Sequence, residues 1–548
     1  MSLHPQEVPS LPDETARVAR AACPQGTLAM QLRDHLGAVY DDATFAPLFA
    51  VDGHPAEAPW RLALVTVLQF AAGLSDRQAA EAVRVRVDWT YALALDLTDQ
   101  GFHYSVLCAF RTRLLSGGME QVLLDALLRR CQEQGLLKAR GRQRTDSTHV
   151  LAAIRMLNRL MCVGETLRHA LNALATVAPT WLRALAPPEW FERYSLRFEE
   201  SRLPTAKTAR AELAAVIGAD GFRLLQAVYA PDAPPHLRHV PAVDILRRVW
   251  LQQYHTPDSS GVRWREGDDV PPSAVLIHSP YDPEARYSTK GSTTWVGYKA
   301  HISETCDDDT PHLLTHVETT PATTPDVSTT EPVHQALAAK EMLPGIHIVD
   351  TGYIDSGLLV DSATTYGIDL LGPVVADDSW QARAAEGFDA AHFAVDWERR
   401  MVTCPRGQPS SKWVQTHDRH DNRVIHVECA RRACLACPDR PRCTQSAREP
   451  RMVTFRPKEQ HLAMQQARQR QTTEGFKEEY ARRAGIEGTL SQGVRAFDLR
   501  RARYIGLARR LMHTFDEAEK DQIGDHWMQH RVRIGVRRES APSVMRES

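Results

Sequence analysis

Strand-like and helix-like runs follow one another between Arg144 and Leu371, and their order leaves few folds open. Trp295-Val296-Gly297-Tyr298-Lys299-Ala300-His301-Ile302 alternates with a period of two, and Leu313 to Thr319 is a second such run. Ile346-His347-Ile348-Val349 is short, mostly apolar and leads into Asp350. Ile368-Asp369-Leu370-Leu371 is a further strand, and Arg144 to Leu151, where Thr, His and Val alternate, is an earlier one. Val333 to Met342 fits a crossover helix between the second and third of these later runs. Strands in succession, then a helical crossover, then more strands is the pattern of a mixed central sheet, an α/β core.

The rest of the chain is arranged around that core. Residues 13–140 read as an all-α N-terminal domain. Its apolar helix through Leu62, Val65 and Phe70 ends near Gly73, Ser75 with Gln78 three residues on is a capping box, and another helix starts at Ser105. Arg84, Arg86, Arg111 and Arg113 on the later helices suit a helix-turn-helix-like DNA reader, although a plain helical bundle fits the same pattern. Residues 141–375 form the first part of the core, with a helical insertion over 153–275. Residues 376–456 are a β-rich insertion with strand-like pieces at Phe393 to Val402, Val424 to Cys429 and Met452 to Phe455. Residues 457–512 read as helix, from about Glu459 to Met512, and 513–548 as a polar tail.

Net charge is −2, so the overall balance does not point to nucleic acid, but Arg500, Arg501, Arg503, Arg509 and Arg510 crowd one segment. No stretch reaches the ~20 apolar residues of a membrane helix, and the polar start, Met1 to Pro12, carries no export signal. A cytoplasmic protein is expected. Cys23, Cys108, Cys131, Cys162 and Cys306 are expected to be buried free thiols.

Two aspartates stand where an open α/β sheet binds ligands. Asp146 lies in the first strand, and Asp350 lies at the carboxyl end of a later one, before Thr351-Gly352-Tyr353. Downstream, Tyr480, Arg483 and Glu487 follow the spacing i, i+3, i+7, which places an aromatic, a guanidinium and a carboxylate on one helix face. Gly485 and Gly488 weaken that helix, so Glu487 can stand at its start. Taken singly, each aspartate reads equally as a turn cap or salt-bridge partner, and the trio as a solvated face. Together they are the oxygen donors that a pair of hard divalent ions requires.

These motifs carry a resemblance. Thr145-Asp146-Ser147-Thr148-His149-Val150, Val349-Asp350-Thr351-Gly352-Tyr353 and the Tyr-x2-Arg-x3-Glu run from Tyr480 to Glu487 resemble the three motifs of DDE-type transposases of bacterial insertion sequences. The similarity is greatest to the eleven-eighty-two group, related to the insertion-sequence-five superfamily, and it spans roughly residues 26 to 512. It implies a ribonuclease H-like core with Asp146, Asp350 and Glu487 as catalytic and metal ligands for two Mg²⁺ or Mn²⁺ ions. It implies binding of terminal inverted repeats, cleavage at the element ends and strand transfer into target DNA, by a homodimer on DNA associated with the nucleoid. Tyr480 and Arg483 would help hold the DNA backbone or order the site. The usual lysine seven residues past the glutamate is Val494 here, with Arg495 beside it as the remaining DNA contact. A competing reading, a transposase that binds DNA without cutting it, rests on the polar tail. A nuclease that only hydrolyses is a third reading.

Cys404, Cys429, Cys434, Cys437 and Cys443 fall in the β-rich insertion, and Cys434-Leu435-Ala436-Cys437 has the spacing of a tetrahedral zinc pair. Cys443 and either Cys429 or Cys404 could complete a structural zinc site; free thiols are the alternative. Trp295, Tyr298 and Trp397 read as core aromatics, His149 and His301 as structural histidines, Asp326 as a helix cap, and Lys299 as a residue in reach of the DNA backbone.

Overall fold

The computed structural model describes residues 1–256, 261–384, 386–502 and 505–507. The N-terminal part is helical, including α1 (Pro59–Ala71), α2 (Asp76–Val85) and α3 (Ser105–Ser116). Pro59 opens α1 at a position where its missing N–H costs nothing. Ser75 and Gln78 cap α2 reciprocally, as their spacing predicts. Trp60, Leu68, Trp89, Phe110 and Leu114 belong to one buried cluster there. Arg111 is one of its struts: it is buried and pairs with Asp76 at 2.5 Å. It therefore does not serve as a DNA reader. Arg84 and Arg86 carry intrachain partners too, Glu81 and Asp88, each at 2.6 Å.

The central sheet is mixed and has six strands: β1 (Arg142–Leu151), β2 (Arg286–Lys290), β3 (Thr293–Thr305), β4 (Leu314–Pro321), β5 (Ile346–Val349) and β6 (Asp369–Leu371). β3 is antiparallel to β1, β2 and β4; β5 is parallel to β1 and to β6. The parallel pairs require crossovers, supplied by α5 (Val327–Ala339) between β4 and β5 and α6 (Ser356–Thr365) between β5 and β6. Between β1 and β2 lies a helical block with α4 (Arg159–Val177) as its longest early member, closed around Trp190, Trp250 and Tyr254. Gly221 packs against the Trp250 ring so closely that a Cβ there would collide with it.

Several elements differ from the sequence-based expectation. β2 was not expected; its five residues pair with the first part of β3. The run Phe393 to Val402 is a hairpin, β7 (Ala394–Asp396) and β8 (Met401–Thr403), reversed where Arg400 takes φ 52°. An unexpected strand, β9 (Ser410–His417), pairs with β10 (Arg423–Cys429), which in turn pairs with β11 (Met452–Phe455). The single helix expected from Glu459 is three: α7 (Lys458–Arg470), α8 (Glu474–Ala481) and α9 (Ala484–Phe497). Thr473 caps α8 by accepting the Phe476 N–H, which starts a new helix. The expected continuation to Met512, with Arg503, Arg509 and Arg510, and the polar tail over 513–548 lie outside the described residues. Of the scattered cysteines, Cys131, Cys162 and Cys306 are buried, but Cys108 is exposed and Cys23 half-exposed. Among the described residues no helix is long and apolar enough to cross a membrane.

Four histidines lie buried in the sheet and its crossover helix. His301 sits on β3 between the Tyr353 hydroxyl at 2.7 Å and Thr320 at 3.0 Å, a structural role as expected. His347 sits between Thr145 at 2.7 Å and His334 at 2.8 Å. His316 on β4 is the fourth. Burial lowers His301 and His334 each to about 4, from an ordinary value of 6.5. The unfolded chain therefore binds more protons than the folded one between pH 6.5 and 4. Stability is expected to be full above that window and to fall as the pH drops through it, by about 3 kcal/mol for each such histidine. Urea midpoints measured at a series of pH values check this, and His334→Gln is expected to flatten the slope.

Candidate active site at the open strand ends

Asp146 and Asp350 become neighbours through strand register. β1 and β5 are parallel, with Thr145 opposite Val349, so the next residue of each chain is an aspartate. β5 stops there, and β1 continues without that partner, which opens a crevice at the carboxyl end of β5. Asp350 accepts its bond at 2.7 Å from the Thr351 N–H, at the start of the short turn Thr351–Tyr353. Asp146 accepts from the Ser147 N–H at 2.8 Å.

Glu487 arrives from the other end of the core sequence. It stands in the first turn of α9, the position Gly485 and Gly488 suggested. Tyr480 belongs to α8 and Arg483 to the break before α9, so the trio does not share one continuous helix. The break brings Arg483 inward. Its guanidinium meets Asp146 at 2.7 Å, Glu487 at 3.2 Å and Asp350 at 3.8 Å. Three carboxylates from three elements thus surround one cation. Exposure rises across them: the side chains of Asp146, Asp350 and Glu487 are 14%, 50% and 67% exposed. Burial pushes the Asp146 carboxyl up, and the Arg483 charge partly offsets this. Tyr480 stacks on Phe476 with centroids 5.5 Å apart.

What holds α9 in place was not evident from the sequence. Arg144 on β1 and Glu304 on β3 form a buried ion pair at 2.6 Å, with side chains 5% and 1% exposed. Glu304 also accepts from Thr489 of α9 at 2.8 Å, and Arg144 donates to the Arg482 carbonyl. The sheet thereby grips both sides of the turn that carries Arg483. Gly485 lies over the Arg144 guanidinium, and a Cβ there would collide with it. The need for glycine is close approach as well as a weakened helix.

Lys299 and Asp326 pair with each other at 2.8 Å. Asp326 occupies the N-cap position of α5 but makes no capping bond, a correction to its expected role. The ammonium takes its carboxylate instead. Both line a cleft of about 540 Å³ beside the site, with Ser147, His149, Lys290 and Arg500. Arg500 donates to Thr148 at 3.1 Å. Val494 is half-buried against Leu490 and Leu499, and Arg495 is exposed. His149 is half-buried against the Trp295 ring; Trp295 and Tyr298 are core residues, and Trp397 packs edge-on against Trp413.

The chain matches the family model described as Transposase DDE domain over residues 403–515, and the one described as Transposase domain (DUF772) over residues 20–113. The two matched models, both of transposase domains, indicate a transposase. The pair of matches is typical of the eleven-eighty-two group of insertion-sequence transposases. No curated protein and no solved structure matches the chain. The first match spans Tyr480, Arg483, Glu487 and all five cysteines of the insertion, and the second spans the N-terminal helices. Asp146 and Asp350 lie outside both, so their place in this transposase rests on the geometry above.

Proposed function

We propose that this transposase binds the terminal inverted repeats of its element and catalyses metal-dependent DNA cleavage and strand transfer, with Asp146, Asp350 and Glu487 as the reacting centre. The observation that carries this reading is the convergence of the three carboxylates on Arg483 at open strand ends. The order β4-β3-β1-β5-β6, with β3 alone running against both its neighbours along that path, supports a ribonuclease H-like core.

The donor set fits two Mg²⁺ or Mn²⁺ ions, because carboxylate oxygens suit hard cations. Among the described residues, however, no three such side chains are already drawn to metal-binding distance. Bound there, the ions would activate a water or 3′-hydroxyl and stabilise the leaving oxygen. Arg483 holds the carboxylates together and turns to the scissile phosphate when the centre loads, since a guanidinium recognises either anion. Tyr480 flanks that phosphate. Lys299, exchanging Asp326 for a phosphate, and exposed Arg495 hold the backbone on either side. The N-terminal helices bind the repeats through groups other than Arg111, a homodimer joins the two ends, and the protein works in the cytoplasm at the nucleoid.

The test is a labelled duplex bearing the element's own ends, incubated with the purified chain. Strand scission is expected with Mg²⁺ or Mn²⁺ and is expected to stop with a chelator, while band-shift binding persists. Binding without scission under every divalent cation would replace this reading by a DNA-binding role alone.

A further inference from the structure

The β-rich insertion gathers all five of its cysteines around one cavity of about 340 Å³. They reach it from separate places: Cys404 from a turn after β8, Cys429 from the end of β10, Cys434 and Cys443 from two short helical turns, and Cys437 from the link between those turns. Two tight turns frame it. The Cys404 carbonyl accepts from Gly407 at 2.8 Å, where φ is 74°, and the Cys434 carbonyl accepts from Cys437 at 3.3 Å. Each turn is headed by a cysteine and folded back on itself, which is how short loops present thiolates to a tetrahedral ion.

The surroundings are poised for negative charge. The Cys434 sulfur already accepts the Arg451 N–H at 3.3 Å. Arg440 and Arg451 line the same cavity, and each has a buried guanidinium N–H, on NH1 and Nε respectively, without an acceptor. Such orphaned donors are costly beside neutral thiols and are satisfied beside thiolates. A divalent ion with four thiolates carries a net charge of −2, which two guanidiniums offset.

We propose that the insertion is a tetrathiolate zinc centre with Cys404, Cys434, Cys437 and Cys443 as ligands, and Arg440 and Arg451 as its charge-compensating donors. Cys429 is the odd thiol. It is 8% exposed and packs with Phe393, Val427 and Phe455 in the core of the insertion, whereas the other four are half-exposed at the cavity. Among the described residues no three such donors stand at metal-binding distance, so binding draws each sulfur in to about 2.3 Å from the ion. Each ligand thiol gives its proton to water as its sulfur binds. The centre is structural: it ties the β7–β8 hairpin and the two short helical turns to the sheet of β9, β10 and β11.

The full chain, purified without chelator, is expected to carry about one zinc per chain, released by a mercurial reagent. Reconstitution with Co²⁺ under reducing conditions is expected to give the visible bands and sulfur-to-cobalt charge transfer of a tetrahedral thiolate site. Cys437→Ser is expected to lose both signals, and Cys429→Ser and Asp350→Ala to keep them. Asp350→Ala separates this centre from the carboxylate site. Absence of zinc together with absence of the cobalt spectrum in the intact chain overturns the proposal. Loss of the spectrum in Cys429→Ser with retention in Cys404→Ser overturns the ligand assignment.

Discussion

Asp350→Ala is expected to reduce scission of the element's ends by about a thousand-fold or more, which is ~4 kcal/mol of transition-state stabilisation, with DNA binding unchanged. The expectation follows from how little else Asp350 does. Its side chain is 50% exposed, its nearest bond is to the N–H of the next residue, and Arg483 lies 3.8 Å away. Removing it costs about 1 kcal/mol of local capping and leaves the sheet intact. A metal ligand, in contrast, has no substitute at that strand end. Paired band-shift and scission assays on the intact and variant chains separate the two effects. A variant that cuts at more than about a tenth of the intact rate, a deficit of only ~1.4 kcal/mol, would remove Asp350 from the centre.

The second large effect is expected at Arg144 and Glu304, which touch no substrate. Arg144→Met leaves Glu304, 1% exposed, without its cation. Breaking a buried pair on one side costs about 3–5 kcal/mol, whereas replacing both partners by apolar residues is often neutral. Arg144→Met/Glu304→Leu is therefore expected to recover most of the stability lost in Arg144→Met. Scission is not expected to recover, because the Arg482 carbonyl and Thr489 still lose their anchors and the turn bearing Arg483 is released. Backbone hydrogen exchange over residues 142–151 and 484–495 reads the stability, and the scission assay reads the positioning. Equal exchange in Arg144→Met and the intact chain would show that the pair does not hold α9.

Much of the site was legible because its signals are local. A strand of period two, an apolar run ending on Asp350, and glycines on both sides of Glu487 are read from neighbouring residues alone. The capping box at Ser75 and Gln78 is of the same kind. The misread parts depend on distant partners. β2 is short and β9 is mostly polar, and each is a strand because a neighbour offers it a ladder. Asp326 stands where a cap belongs, but Lys299, brought alongside by β3, takes its carboxylate. The α7–α8 break has no proline or glycine; Thr473 makes it, and a threonine in a polar helix gives a weak signal.

The sequence by itself determined the α/β order of elements, the identity of the candidate carboxylates and the thiol-rich character of the insertion, since each depends on residue type and short spacing. Tertiary structure alone decided which groups meet. The parallel register of β1 and β5 makes neighbours of two aspartates 204 positions apart (350 − 146). The buried Arg144–Glu304 pair fixes the angle at which α9 delivers Glu487. Chain closure draws Cys404 to a cavity shared with Cys434, Cys437 and Cys443. Such meetings follow from burial and strand pairing summed over the whole chain, which no local window of residues contains.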